Sequence, residues 1–504
     1  MRENIQDIEK GFFNLIKTMK NYEEAIGVLG WDLRTGAPKK GAEQRSEVIG
    51  TLAQHVFNLS TSDEMKHYLD ALSDPSVQDQ LSDITKRSVE ECRKEYERNV
   101  KIPQEEYREY VVLRANAETV WQEAKKKSDF SLLRPYLEKL VDFTHRMVEY
   151  WGHHENKYNA LLDLYEPGVT VDVLDRVFGQ LKESIVPLVK EIEAAEPPEE
   201  SFLYGYFPKD KQRDFSVYIL KEIGYDFDAG RLDETEHPFE TALNPGDVRV
   251  TTKYNENDFQ VAIFGTMHEG GHALYEQNIS PDLIGTPLCG GTSMGMHESQ
   301  SLFFENFVGR SRAFWEHYYE PFKTFAGGLF DGVDLDAFYR AINVARPSLI
   351  RIEADELTYP LHIMVRYEIE KGLFNGDLKV KDLPGVWNEQ MEKYLGIRPK
   401  EDREGVLQDI HWSGGDFGYF PSYALGYLYA AQLKHAMLKD VPDFDDHLRR
   451  GHIAPIREWL TEHVHRFGGL KKPMDILREA TGETLNAQYL IDYLTNKYRE
   501  VYRL

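Results

Sequence analysis

The stretch GTMHEGGHALYEQ, residues 265–277, constrains the fold more than any other part of the chain. His268 and His272 stand four residues apart, so on a helix they project from one face. Glu269 follows the first histidine, about 100° further round the axis. Two imidazoles at that spacing can hold one divalent cation, and the glutamate is placed to take a proton from a water at the metal. Gly270 and Gly271 lie between the histidines, and each glycine inside a helix costs roughly 1 kcal/mol relative to alanine. Gly271 flanks the ligand face, where a second helix must come close to deliver a further ligand, and a missing side chain permits that approach. Gly270 points further round, either towards another close-packed backbone or into space where glycine is merely tolerated. Phe264, Gly265, Ala273 and Leu274 make the helix apolar and small, as a buried helix should be.

A third ligand is required, with one coordination position left open for catalysis. GMHESQSLFFENF, residues 295–307, starts a second helix and offers His297 and Glu298. Only one of two neighbours on a helix can point at the metal, so both remain candidates. Glu298 would give a site of two histidines and one carboxylate, as in other hydrolytic zinc enzymes.

Helical periodicity dominates the remainder, with helices expected at 104–127, 129–160, 171–196, 348–374, 423–438 and 484–502. The region 237–259 departs from it. A Pro-Gly turn at 245–246 separates two extended segments, one of them the β-branched DVRVTTKY, which predicts a short antiparallel ribbon just before the histidine helix. EAAEPPEES, 193–201, suits either a boundary between lobes or a surface loop within one domain.

The formal charge is −25, which disfavours nucleic acid and anionic membranes as partners. The N-terminal stretch has no signal-peptide pattern, and no apolar run approaches the ~18 residues of a membrane span. The only cysteines are Cys92 and Cys289, which favours a reducing compartment. A soluble, cytoplasmic protein is expected.

HEGGH at 268–272 followed by HESQS at 297–301 resembles the M32 family of metallocarboxypeptidases. HPF at 237–239, DVRVT at 247–251, IRIEAD at 350–355 and GVLQDIHW at 405–412 match further motifs of that family, in order. The resemblance implies a single catalytic domain over 1–504, mainly α-helical and saddle-like. Two lobes would flank a deep groove, with a small antiparallel sheet beside the metal. It also implies Glu298 as third ligand, one zinc per chain (cobalt accepts the same ligands), peptide substrates with a free C-terminus, and a homodimer. By the same resemblance Glu269 is the general base, His411 and Tyr423 stabilise the transition state, and Tyr419 contacts substrate. Arg351 is the first choice for binding the α-carboxylate, since a guanidinium can bind both oxygens. Arg249, His237 and Gln408 are further substrate-side candidates. The competing functions are an oligopeptidase cutting internal bonds and a peptide-binding protein with structural zinc. The latter would need a closed site, often with cysteines, and neither cysteine lies in a metal-binding pair.

Overall fold

A computed structural model describes residues 4–152 and 156–504. The chain is mainly α-helical, with one three-stranded sheet. The helices Ile5–Thr35, Asp63–Leu72 and Asp83–Lys101 close a small core of their own around Phe12, Met65, Leu69 and Leu72. A second, much larger core takes residues from Tyr110 to Tyr502, drawing on helices before and after 193–201. No described helix is long and apolar enough to cross a membrane. Cys92 and Cys289 are both free thiols.

Two expected helices are shorter than their periodicity suggests. The helix begun at Phe130 stops at Trp151, where Gly152 takes a left-handed φ of 89° and caps it. A new helix starts at Lys157, and residues 153–155 of the expected span lie outside the described residues. In the segment 348–374 the helix begins only at Tyr359. Upstream, the Asp355 carboxylate accepts from the amides of Leu357 and Thr358 and from the Thr358 hydroxyl, an alternative to helical bonding that fixes an irregular stretch. The IRIEAD motif is therefore an irregular wall with one 3-10 turn, Arg351–Glu353, not an α-helix face.

The sheet is mixed, not purely antiparallel. β1 (Leu232–Glu234), β2 (Glu240–Asn244) and β3 (Asp247–Thr252) lie in the order β1-β3-β2. β2 pairs antiparallel with β3 across the Pro245-Gly246 turn, as expected, but β1 runs parallel to β3. β1 is three residues of Leu-Asp-Glu, too short and too charged to announce a strand. Thr252 donates its hydroxyl to the Ala262 carbonyl, tying β3 to the first turn of the histidine helix, Gln260–Gln277.

Candidate active site

The histidine helix is nearly all buried, and both glycines have a visible cause. A Cβ on Gly271 would lie 2.4 Å from the Gln300 carbonyl oxygen and 2.7 Å from the Ser301 Cα, both backbone atoms of the helix Met294–Leu302. That glutamate helix is thus pressed onto the histidine helix at the ligand turn. A Cβ on Gly270 would meet Leu220 and Ile223 side-chain ends at 2.8 and 2.9 Å, so its neighbour is the helix Lys209–Ile223. From the other side Gly426, on the helix Pro421–Asp440, clears space for Glu298: a Cβ there would sit 2.7 Å from its Cγ. The Glu166 carboxylate anchors the start of the glutamate helix, accepting from the Gly295 amide and from the Ser293 and Tyr429 hydroxyls.

His268, His272 and Glu298 present three donor atoms within 4.8 Å of one another. Glu298 Oε2 lies 3.7 Å from His268 Nε2 and 3.4 Å from His272 Nε2. Donors about 2.05 Å from a tetrahedral zinc would lie about 3.3 Å apart, so the cluster matches such an ion. Both remaining imidazole nitrogens are engaged. His268 Nδ1 donates to Glu305 Oε2 at 2.9 Å. His272 Nδ1 lies 2.6 Å from His297 Nδ1, whose Nε2 lies 3.0 Å from Glu276 Oε1. If His272 donates, His297 donates in turn to Glu276, and both ligand imidazoles keep the Nε2 lone pair for a metal. His297, the alternative third ligand by sequence, therefore braces a ligand. A His297→Phe variant is expected to bind metal about 10- to 100-fold more weakly, measured by competition with a chelator; unchanged affinity would remove the bracing role.

These braces were overlooked in the sequence, although a signal exists. Glu276 stands four residues after His272, and Glu305 seven after Glu298, each returning to the face of the earlier residue. Glu305 sits in a π-helical continuation, Phe303–Gly309, and also faces Arg310 at 3.4 Å.

The cluster opens into a cavity of about 830 Å³ that also holds Glu269, Arg351, Tyr419, Tyr423, Tyr359 and the first residue of β2. Glu269 is 7% exposed, and burial pushes its carboxyl up to about 7 before any metal's charge is counted. Burial also raises the Tyr419 and Tyr423 phenols, so both remain O–H donors at neutral pH. Arg351 is buried and donates through Nε and Nη2 to Asp409 Oδ1 and through Nη1 to the Tyr359 hydroxyl. Asp409 is shared with the fully buried Arg366, leaving two guanidiniums against one carboxylate. Burial alone would raise the Asp409 carboxyl, but Arg366 and Arg351 hold it well below the usual range.

Four sequence candidates do not reach the cavity wall. Arg249 faces the other side of the sheet, clasped by Asp247 at 2.7 Å and 5.6 Å from the Trp31 ring centre, in a separate cavity of about 950 Å³. Strand alternation accounts for this: Arg249 lies between Val248 and Val250, which are buried on the opposite face. His237 is exposed just before β2. Gln408 is buried beneath Arg351, accepting from its amide at 2.9 Å and from Arg366 at 2.8 Å, and so positions that residue. His411 packs against Tyr419 and Tyr423, with ring centres 5.5 and 6.3 Å away, one layer back. Burial pulls its imidazole down to about 4, so it is neutral at pH 7. Its loop is pinned by the buried Glu370, which accepts from Trp412 Nε1 and the Gly418 amide.

Two imidazoles, a carboxylate, an adjacent buried acid and a peptide-sized cavity define a metal-dependent hydrolase. Residues 11–498 match the family described as carboxypeptidase Taq (M32) metallopeptidase, and the chain belongs to that family. Carboxypeptidase 1 of Bacillus subtilis is 58% identical, over 99% of this chain and 100% of the relative. Thermostable carboxypeptidase 1 of Thermus thermophilus is 40% identical, over 98% and 99%. The crystal structure of the M32 carboxypeptidase from Deinococcus radiodurans R1 superposes with a TM-score of 0.95 at 36% identity, covering 99% of each chain.

Proposed function

We propose that the chain is a zinc carboxypeptidase of broad specificity that removes residues from the free C-terminus of peptides. The observation that carries this reading is the shared cavity. One guanidinium, Arg351, faces the same space as the three metal donors and Glu269. When bound, the zinc supplies a Lewis acid that polarises the scissile carbonyl and acidifies water.

Glu269 takes the proton of the attacking water and returns it to the departing amine. Tyr423 donates its phenol hydrogen to the oxyanion, and Tyr419 holds the peptide beside it. His411, neutral and packed behind Tyr419 and Tyr423, supports the placement of both phenols. Arg351 binds the terminal carboxylate, using the positive charge that Asp409 leaves uncancelled. β2 is an edge strand, and its open side can pair with an extended peptide through main-chain hydrogen bonds, which tolerates varied side chains.

Peptides with a free C-terminus are expected to be shortened one residue at a time, and their C-terminal amides left intact, as followed by mass spectrometry. Equal cleavage of both forms would favour an oligopeptidase. The Arg351→Lys variant keeps a charge but loses the planar fork, so KM for free-acid peptides should rise about tenfold or more. An unchanged KM would place carboxylate recognition elsewhere. A cytoplasmic homodimer is the setting proposed for this activity; a monomer in sedimentation at micromolar concentration would contradict it.

A further inference from the structure

Glu240 opens β2 and was not among the residues singled out by motif. The strand pairing sets Glu240 opposite Val250 and Thr241 opposite Arg249. Residues opposite one another share a face, so Glu240 lies on the side of Val248 and Val250, both fully buried. That face turns towards the histidine helix, and it brings Glu240 into the metal cavity. An inward position at the head of an edge strand suits an apolar or hydroxyl side chain. Glu240 is half-buried there, and an oxygen shut off from water needs a compensating partner.

It has none among the described residues. Its Oε1 is buried without a hydrogen-bond donor. Two other carboxylates of the cavity, Glu298 and Glu305, have partners of their own. Glu298 faces both histidines, and Glu305 holds His268 and Arg310. Arg351 turns its donors to Asp409 and Tyr359, not to Glu240. Glu240 thus offers a free acceptor oxygen in the cavity.

We propose that Glu240 is a specificity-determining residue that receives the ammonium or guanidinium of a lysine or arginine side chain, at one of the two residues flanking the scissile bond. The inference rests on the carboxypeptidase reading above and names a preferred substrate class for it. A basic side chain would supply the missing donor as a charge-assisted hydrogen bond, whereas an acidic one would meet like charge.

The test uses two series of N-blocked dipeptides with free C-termini. One varies the last residue among Lys, Leu and Glu with Ala before it, and the other varies the penultimate residue with Ala last. Wild type should prefer Lys to Leu by about tenfold or more in kcat/KM in one series, with Glu poorest. In Glu240→Gln at equal metal content, that ratio should collapse at least fivefold, through KM for the Lys peptide. Three results would overturn the proposal: no basic preference in wild type, a preference that survives in Glu240→Gln, or an equal loss on Lys and Leu peptides. If wild type cleaves none of these peptides, or cleaves their amides equally well, the carboxypeptidase reading itself fails and this inference falls with it.

Discussion

The Glu269→Gln variant is expected to retain one metal ion per chain and to turn over about 10²- to 10⁴-fold more slowly, the range set by losing a general base. The amide fills the same volume but cannot accept a proton from water and hand it on. The three metal donors belong to His268, His272 and Glu298, so the ion should stay where it is. The loss should fall on kcat, since Glu269 acts on the reacting water and not on the peptide's binding groups. Metal analysis alongside steady-state kinetics separates the outcomes. Turnover near that of wild type would dismiss Glu269 as the base, and loss of the metal would make it a structural or ligating group.

The Gly271→Val variant should lose the metal while remaining folded. Even its Cβ alone would sit 2.4 Å from the Gln300 carbonyl oxygen and 2.7 Å from the Ser301 Cα, and backbone cannot swing aside as a side chain can. Ordinary contact would need the glutamate helix to retreat by about 1 Å, and metal–ligand distances tolerate about 0.2 Å. Glu298 rides on that helix, so zinc affinity should fall at least about 100-fold, more than from loss of a brace such as His297. Gly270→Ala is the control. Its Cβ meets only the tips of Leu220 and Ile223, and alanine favours the helix, so metal binding should survive. Isothermal titration with zinc, with circular dichroism to confirm folding, distinguishes the pair. Wild-type affinity in Gly271→Val would mean that the two helices are not held in contact by the missing side chain.

Local chemistry with a short period was legible in the sequence. Two histidines four apart, a glutamate next to the first and a glycine on the flank each follow from helix geometry, and the hairpin follows from its Pro-Gly turn. Features set by distant packing were not. β1 has no strand-like composition and exists because β3 offers it an edge. The start of the helix at Tyr359 depends on Asp355 folding back on its own backbone. Arg249 and Arg351 look alike in the sequence, yet strand alternation sends one over Trp31 while a short 3-10 turn directs the other into the cavity. Gln408 is a similar case. Its motif made it a substrate-side candidate, but its side-chain oxygen accepts from the Arg351 amide and from Arg366. Glu240 carried no motif, and only the register of β2 against β3 shows which way it faces.

The most direct test is diffraction from crystals of the metal-loaded protein, recorded on both sides of the zinc absorption edge. The account predicts a single anomalous peak between the Nε2 atoms of His268 and His272 and the carboxylate of Glu298, with Glu269 beside it but not bound. A peak elsewhere, or a fourth side chain completing the sphere and excluding water, would contradict it.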